Sequence, residues 1–272
     1  MLTDRQPFQL VEQNLRQALA FYAGSHSKGE VRQMPGVAAI SCGWNYPVFN
    51  SALLTSAVPG EDGGIECRLA MASVYFRALD LGWSYWACHD MLDDATLRVL
   101  RDTCYTFGME PVLTAPGMFT EELAPQMRPA LPLQVREVCD QATRSAFAHL
   151  VSIIFDLPYQ TTLHMYGSND RWTRENAAFI GYFEDRPVTM AMACVSGSCC
   201  GFYSVGTLAG YRRRGYAETV MRQAHHTMRD RLHFDACVLQ SSTVGRRLYE
   251  QMGFREVTRF SVFRSAPGQM RR

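Results

Sequence analysis

The sequence predicts an α/β (α+β) protein of two domains, each a twisted mixed β-sheet flanked by helices. Three observations carry that expectation. Apolar runs of strand length alternate with segments whose apolar residues recur at spacings of three and four, the periods of sheet and helix. The pattern stops between Thr114 and Pro132, where prolines fall at 116, 125, 129 and 132, a joining composition. A chain of 272 residues with 47% hydrophobic and 11% aromatic residues holds enough apolar mass for two modest cores. The expected domains are 1–125 and 131–265.

In the first half, Leu10 to Tyr22 reads as an apolar opening helix, and Val37–Ile40 and Val48–Leu54 as strands. Ile65, Leu69, Ala72, Phe76 and Leu79 mark one helix face. Trp83–Cys88 reads as a buried strand, with Trp83 and Trp86 in the core. Leu97, Leu100, Cys104 and Phe107 give a helix that Gly108 closes, glycine being suited to the left-handed position after a helix.

The second half begins with a strand, Leu133–Glu137, and a helix capped by Asp140 with Ala142, Ala146, Leu150 and Ile153 inward. Strands at Ala178–Phe183 and Val188–Val195 flank the turn Glu184-Asp185-Arg186-Pro187. The strand Phe202–Thr207 feeds a helix with Ala217, Met221, Ala224 and Met228 on one face. Then come a strand at Phe234–Leu239, a short helix at Val244–Gln251 closed by Gly253, and a final strand, Phe254–Phe263. Both halves run strand, helix, strand, helix, then a glycine–apolar pair (Gly108-Met109, Gly253-Phe254), so they read as divergent copies of one unit.

Composition narrows the function. A net charge of +1 argues against a protein that coats nucleic acid or an anionic membrane. No stretch reaches the roughly 18 apolar residues of a membrane span, and Met1 to Gln6 lacks the layout of a secretory signal. The nine cysteines are odd in number and form no CxxC pair, which disfavours a disulfide framework or zinc. They read as reduced core filler in a cytoplasmic protein without a metal. His225 and His226 diverge by about 100° on a helix and read as surface residues.

The most informative stretch is Val205-Gly206-Thr207-Leu208 followed by Tyr211-Arg212-Arg213-Arg214-Gly215-Tyr216-Ala217. It is a strand that turns into a basic, glycine-containing helix start. Unpaired N–H groups at such a start bind anions, three arginines add charge, and Gly215 and Ala217 keep bulk away from the backbone. Pyrophosphate is the matching ligand. The glycine pattern of a dinucleotide fold is missing, as is the Gly-Lys-Ser/Thr of a P-loop.

A second block follows: Val238-Leu239-Gln240-Ser241-Ser242, Gly245, and Leu248-Tyr249-Glu250-Gln251-Met252-Gly253-Phe254. Together the two blocks resemble the GNAT superfamily of acyl-CoA-dependent N-acyltransferases. Arg212-x-x-Gly215-x-Ala217 matches its Q/R-x-x-G-x-G/A loop, and Leu248–Phe254 its Leu-Tyr-rich ending. The resemblance spans roughly Leu133 to Arg264. The whole chain is similar to a two-domain bacterial type whose N-terminal half is a degenerate GNAT-like unit, which implies tandem GNAT-like domains.

The resemblance implies acetyl-CoA as cosubstrate, with backbone groups of Val205 and Thr207 beside the pantetheine arm and Gly206 between them. Amides from about Arg213 to Ala217, including Gly215 and Tyr216, would cradle the pyrophosphate, aided by the side chains of Arg212, Arg213 and Arg214. Tyr249 stands at the family's general-acid position, Val205 supplies the oxyanion N–H, and Ser241 and Ser242 lie beside the cofactor. The feeding strand has no carboxylate, so the general base is unassigned; Tyr203 has a pKa too high for a base but is placed to orient a water. Trp44 and Asn50 are candidates for an acceptor pocket, the alternative being a buried turn in which Asn50 satisfies backbone groups. The expected reaction is acetyl transfer to a primary amine of a small molecule by a monomer or homodimer. A protein N-terminus or lysine as acceptor, or a silent CoA-binding module, are the alternatives.

Overall fold

The computed structural model describes residues 6–60, 64–127, 132–168 and 170–265. Met1–Arg5, Pro129 in the expected join and Leu131 at the start of the expected second domain lie outside the described residues. In chain order the elements are α1 (Pro7–Ala20), β1 (Glu30–Met34), β2 (Val37–Ser41), β3 (Ser51–Leu54), α2 (Gly64–Ala78), β4 (Ser84–Cys88), α3 (Asp94–Thr106), β5 (Met109–Thr120), β6 (Gln134–Glu137), α4 (Gln141–Phe155), α5 (Tyr159–Tyr166), β7 (Asn176–Phe183), β8 (Arg186–Ser196), β9 (Cys199–Thr207), α6 (Tyr216–Arg231), β10 (Ala236–Gln240), α7 (Arg246–Gln251) and β11 (Arg255–Ser265).

These elements form two compact units, neither continuous in sequence: Met1–Ala18 with Met118–Arg255, and Leu19–Gly117 with Glu256–Arg272. Within the first, the strand order is β10-β9-β8-β7-β6. The pairs β6–β7, β7–β8 and β8–β9 are antiparallel, and β9 and β10 are parallel. Glu184 and Asp185 both take positive φ, 49° and 60°, giving the tight two-residue β7–β8 hairpin. Asp140 caps α4 through a reciprocal pair with Thr143, satisfying two otherwise orphaned donors.

One face of this sheet packs on α6. Val220, Met221, Ala224 and Met228 of the helix meet Phe202, Cys200, Cys237, Leu239, Tyr249 and Phe254 in one cluster. Each large side chain buried there stabilises the unit by about 1.5–3 kcal/mol. α4 packs with α5 and against β7, β8 and β9, and Phe147, Tyr166 and Trp172 meet edge-on or stacked around it.

The second unit orders its strands β1-β2-β3-β4-β11-β5, with β3 and β4 parallel and β11 antiparallel to β4. Trp83 is buried and stacks on Phe76, whereas Trp86 is only half-buried. Gly108 and Gly253 hold φ of 69° and 95° at the two helix-to-strand joints, a conformation that favours glycine.

Several sequence expectations are corrected. β5 runs unbroken to Thr120 through Pro116, where the sequence suggested that regular structure had ended. Val48 and Phe49 belong to the turn before β3. On α4 the buried residues are Phe147, Ala148, Leu150 and Val151, and Ile153 is exposed. β1 and α5 were not anticipated, because β1 is exposed nearly throughout and shows no alternation. All nine cysteines are free, with only Cys67 and Cys139 exposed. Among the described residues no helix is long and apolar enough to cross a membrane.

Candidate acyl-CoA site

The site grows from one departure in the sheet. β10 is in register with β9 only at Cys199, Cys200 and Gly201, so β9 continues from Phe202 to Thr207 with no β10 partner. Its other edge stays paired to β8, with Thr189 opposite Thr207 and Met190 opposite Gly206. The Leu208 N–H donates to the Val188 carbonyl at 2.9 Å, and the Thr189 hydroxyl donates to the Gly206 carbonyl at 2.9 Å. Strand alternation then turns the backbone polar groups of Val205 and Thr207 to the unpaired edge. The Thr207 carbonyl there accepts from Arg212 Nε at 3.1 Å.

A bulge sharpens this geometry. The β8–β9 register slips between Met190 and Met192, and Ser204 opposite it takes a φ of 48°, a conformation uncommon outside glycine. Its hydroxyl is 3.1 Å from that of Tyr166. Gly206 sits where Ile154 of α4 approaches; a Cβ there would lie 2.7 Å from Ile154 Cγ2.

After Thr207 the chain makes one 3-10 turn, Ala209–Tyr211. Arg213 and Gly215 follow with φ of 61° and 80°, and α6 starts at Tyr216. Thr219 is the first residue whose N–H reaches back, to the Gly215 carbonyl at 3.0 Å. Among the described residues the N–H groups from Arg213 through Glu218 have no backbone partner. That run is a concentrated donor array at the positive end of a 16-residue helix. Arg214 lies over the Tyr211 ring at 5.5 Å and donates to the Gly210 carbonyl. The three arginines are exposed, Tyr216 is buried, and Ala217 is half-buried.

Tyr249 of α7 lies in the hydrophobic cluster against which Val205 also packs. Its ring meets Phe254 edge-on and fills the space where a Cβ on Gly245 would sit 2.8 Å away. Burial pushes its hydroxyl up to about 12. Ser242 receives the Gly245 N–H on its side chain and the Gly245 and Arg246 N–H groups on its carbonyl, and Ser241 donates to the Ser242 carbonyl. Both serines shape the start of α7.

Trp44 and Asn50 belong to the other unit. Asn50 is fully buried, accepts from the Cys42 N–H and donates to the Trp44 and Gly82 carbonyls, each at 2.9 Å. Its hydrogen bonds tie a turn together, and Trp44 packs on His26 and Tyr46. Tyr203 is in the first unit, and its hydroxyl donates to Asn14 Oδ1 at 2.7 Å. Sequence reasoning missed Asn14. The one signal was its place at the centre of an apolar stripe, four residues after Leu10 and four before Ala18.

An unpaired strand edge thus leads into free amides at a basic helix start. Residues 145–254 match the Acetyltransferase (GNAT) family model, which supports the GNAT superfamily for this region. Among curated proteins none matches the chain in sequence. Among solved structures the chain is similar to a GCN5-related N-acetyltransferase from Kribbella flavida, at 14% identity and a TM-score of 0.74 over 98% of both chains. It is also similar to a GCN5-related N-acetyltransferase from Sphaerobacter thermophilus, at 16% identity and a TM-score of 0.57 over 84% of this chain and 76% of that one. A third is a tandem GNAT protein from the clavulanic acid biosynthesis pathway, at 10% identity and a TM-score of 0.56 over 98% and 97%. At these identities the likeness is one of fold. The family supports acyl-CoA-dependent N-acetyl transfer as the general activity.

Proposed function

We propose that the chain transfers an acetyl group from acetyl-CoA to a primary amine of a small molecule, within one complex that holds both substrates. The observation behind this reading is the run of unpaired N–H groups from Arg213 through Glu218 beside the free edge of β9. Those donors suit a pyrophosphate, and Arg212, Arg213 and Arg214 are placed to add charge-assisted contacts. Val205 and Thr207 offer the edge along which an amide-containing arm lies as an added strand. The expected second domain, 131–265, contains all of these residues.

In this mechanism the Val205 N–H donates to the oxygen of the thioester carbonyl as charge develops there. The amine forms the new C–N bond, the C–S bond breaks, and the ammonium proton leaves to water. Tyr249 gives its proton to the departing thiolate and regains one from the water that took the ammonium proton. A hydroxyl held up near 12 stays protonated at neutral pH, as a general acid must. No metal is required. The test is release of free CoA from acetyl-CoA across a panel of small amines; a protein that binds CoA and releases none with any acceptor contradicts the proposal.

A further inference from the structure

Where β9 and β10 separate, polar groups from three elements converge. Tyr203 stands two residues past Gly201, the last β9 residue in register with β10. Continuing the register would set Gln240, the final residue of β10, opposite Tyr203, on the same face. The Gln240 Nε2 is buried there and makes no hydrogen bond among the described residues. From α1 comes Asn14, 1% exposed.

The hydrogen bonds of Asn14 fix the orientation of this group. Its Nδ2 donates to the Cys194 and Cys199 carbonyls, both at 3.1 Å, so Oδ1 must be the atom facing Tyr203. The Tyr203 hydroxyl therefore donates its single proton to Asn14, and its oxygen offers only lone pairs to anything else. Burial raises the phenol well above its ordinary value, so it remains neutral. Space for this arrangement depends on Gly201. A Cβ there would lie 1.9 Å from Asn14 Oδ1 and 2.8 Å from the Tyr203 hydroxyl, so any larger residue would evict the amide.

We infer that Asn14 is a positioning residue for the acceptor: it locks the Tyr203 hydroxyl so that the oxygen accepts a hydrogen bond from the attacking N–H, or from a water that takes its proton. The inference rests on the N-acetyltransferase reading. It assigns the start of the chain a role in the site of the unit built mostly from its second half. It also selects acceptors that present an N–H donor as a neutral amine, since neither Asn14 nor Tyr203 supplies charge.

A double-mutant cycle on acceptor kinetics tests it. The variants are Tyr203→Phe, Asn14→Ala and the pair, with hydroxylamine as the neutral amine, the uncatalysed rate subtracted, and acetyl-CoA affinity measured by calorimetry. Each single change is expected to lower kcat/KM for hydroxylamine about tenfold, the scale of one lost hydrogen bond, with acetyl-CoA affinity within about twofold of wild type. The pair is expected to be no worse than either alone, because both remove one function. Losses that multiply toward about a hundredfold overturn the inference. Tyr203→Phe deletes one oxygen and leaves both Asn14–carbonyl bonds in place, so wild-type acceptor kinetics in that variant overturn it whatever Asn14→Ala does to folding. A wild-type protein that neither binds nor turns over acetyl-CoA overturns the transferase reading and this inference together. Normal turnover with additive losses overturns this inference alone.

Discussion

Replacing Gly215 by alanine separates the pyrophosphate loop from the rest of the site. Gly215 has φ 80° and ψ 1°, and a side chain in the left-handed region costs about 1–2 kcal/mol. The preceding arginines are exposed and the loop has few bonds of its own, so the cheapest relief is local. The loop relaxes in the free protein and must be restored when the ligand binds. The cost then appears in affinity, and about 1–2 kcal/mol corresponds to roughly a 5- to 30-fold weaker Kd. Calorimetric titration with CoA measures this, with acetylpantetheine, which lacks the pyrophosphate, as control. The expected result is weaker CoA binding, unchanged acetylpantetheine binding and a small change in thermal midpoint. Equal weakening for both ligands, or no weakening for CoA, refutes the loop assignment.

Other outcomes follow from the same geometry. Tyr249→Phe is expected to lower kcat about a hundredfold with acetyl-CoA affinity within about twofold; unchanged turnover removes Tyr249 from the mechanism. Because burial holds that hydroxyl near 12, its deprotonation removes activity only as pH nears that value, and a pH–rate profile that falls between pH 8 and 10 contradicts its role as the acid. Gly206→Ala is expected to destabilise the protein by about 1–3 kcal/mol through overpacking on Ile154, and Ile154→Ala to restore part of that loss in urea unfolding. Glu12 is buried on α1, beside Arg16 at 3.0 Å, and burial raises its carboxyl from 4.5 to about 7. The folded chain holds that proton more tightly than the unfolded chain, so stability is full below about 4.5 and falls as pH rises toward 7 and above. The difference amounts to about 3 kcal/mol. Glu12→Gln is therefore expected to match wild type near pH 4.5 and exceed it at pH 8, and a constant difference across that range contradicts the assignment.

The candidate CoA site was legible because its determinants are local. Arg212 to Ala217 sets the anion-binding turn with its own backbone, and the two-residue hairpin at Glu184-Asp185 and the Asp140 cap are equally self-contained. Features that depend on distant partners were not legible. Asn14 is explained by carbonyls 180 and 185 residues away, and Gly201 by the space that Asn14 fills. Asn50 illustrates the ambiguity of a polar residue in an apolar setting, since the same side chain suits a ligand or a turn until its three backbone partners are seen. β5 was obscured by Pro116, which removes a donor without ending the strand.

The most direct measurement is amide hydrogen exchange with and without CoA, read residue by residue. The account predicts new protection at Val205 and Thr207 and from Arg213 through Glu218, on the edge that β10 leaves open. Protection confined to other segments, or CoA binding that leaves these amides exchanging as before, would contradict it.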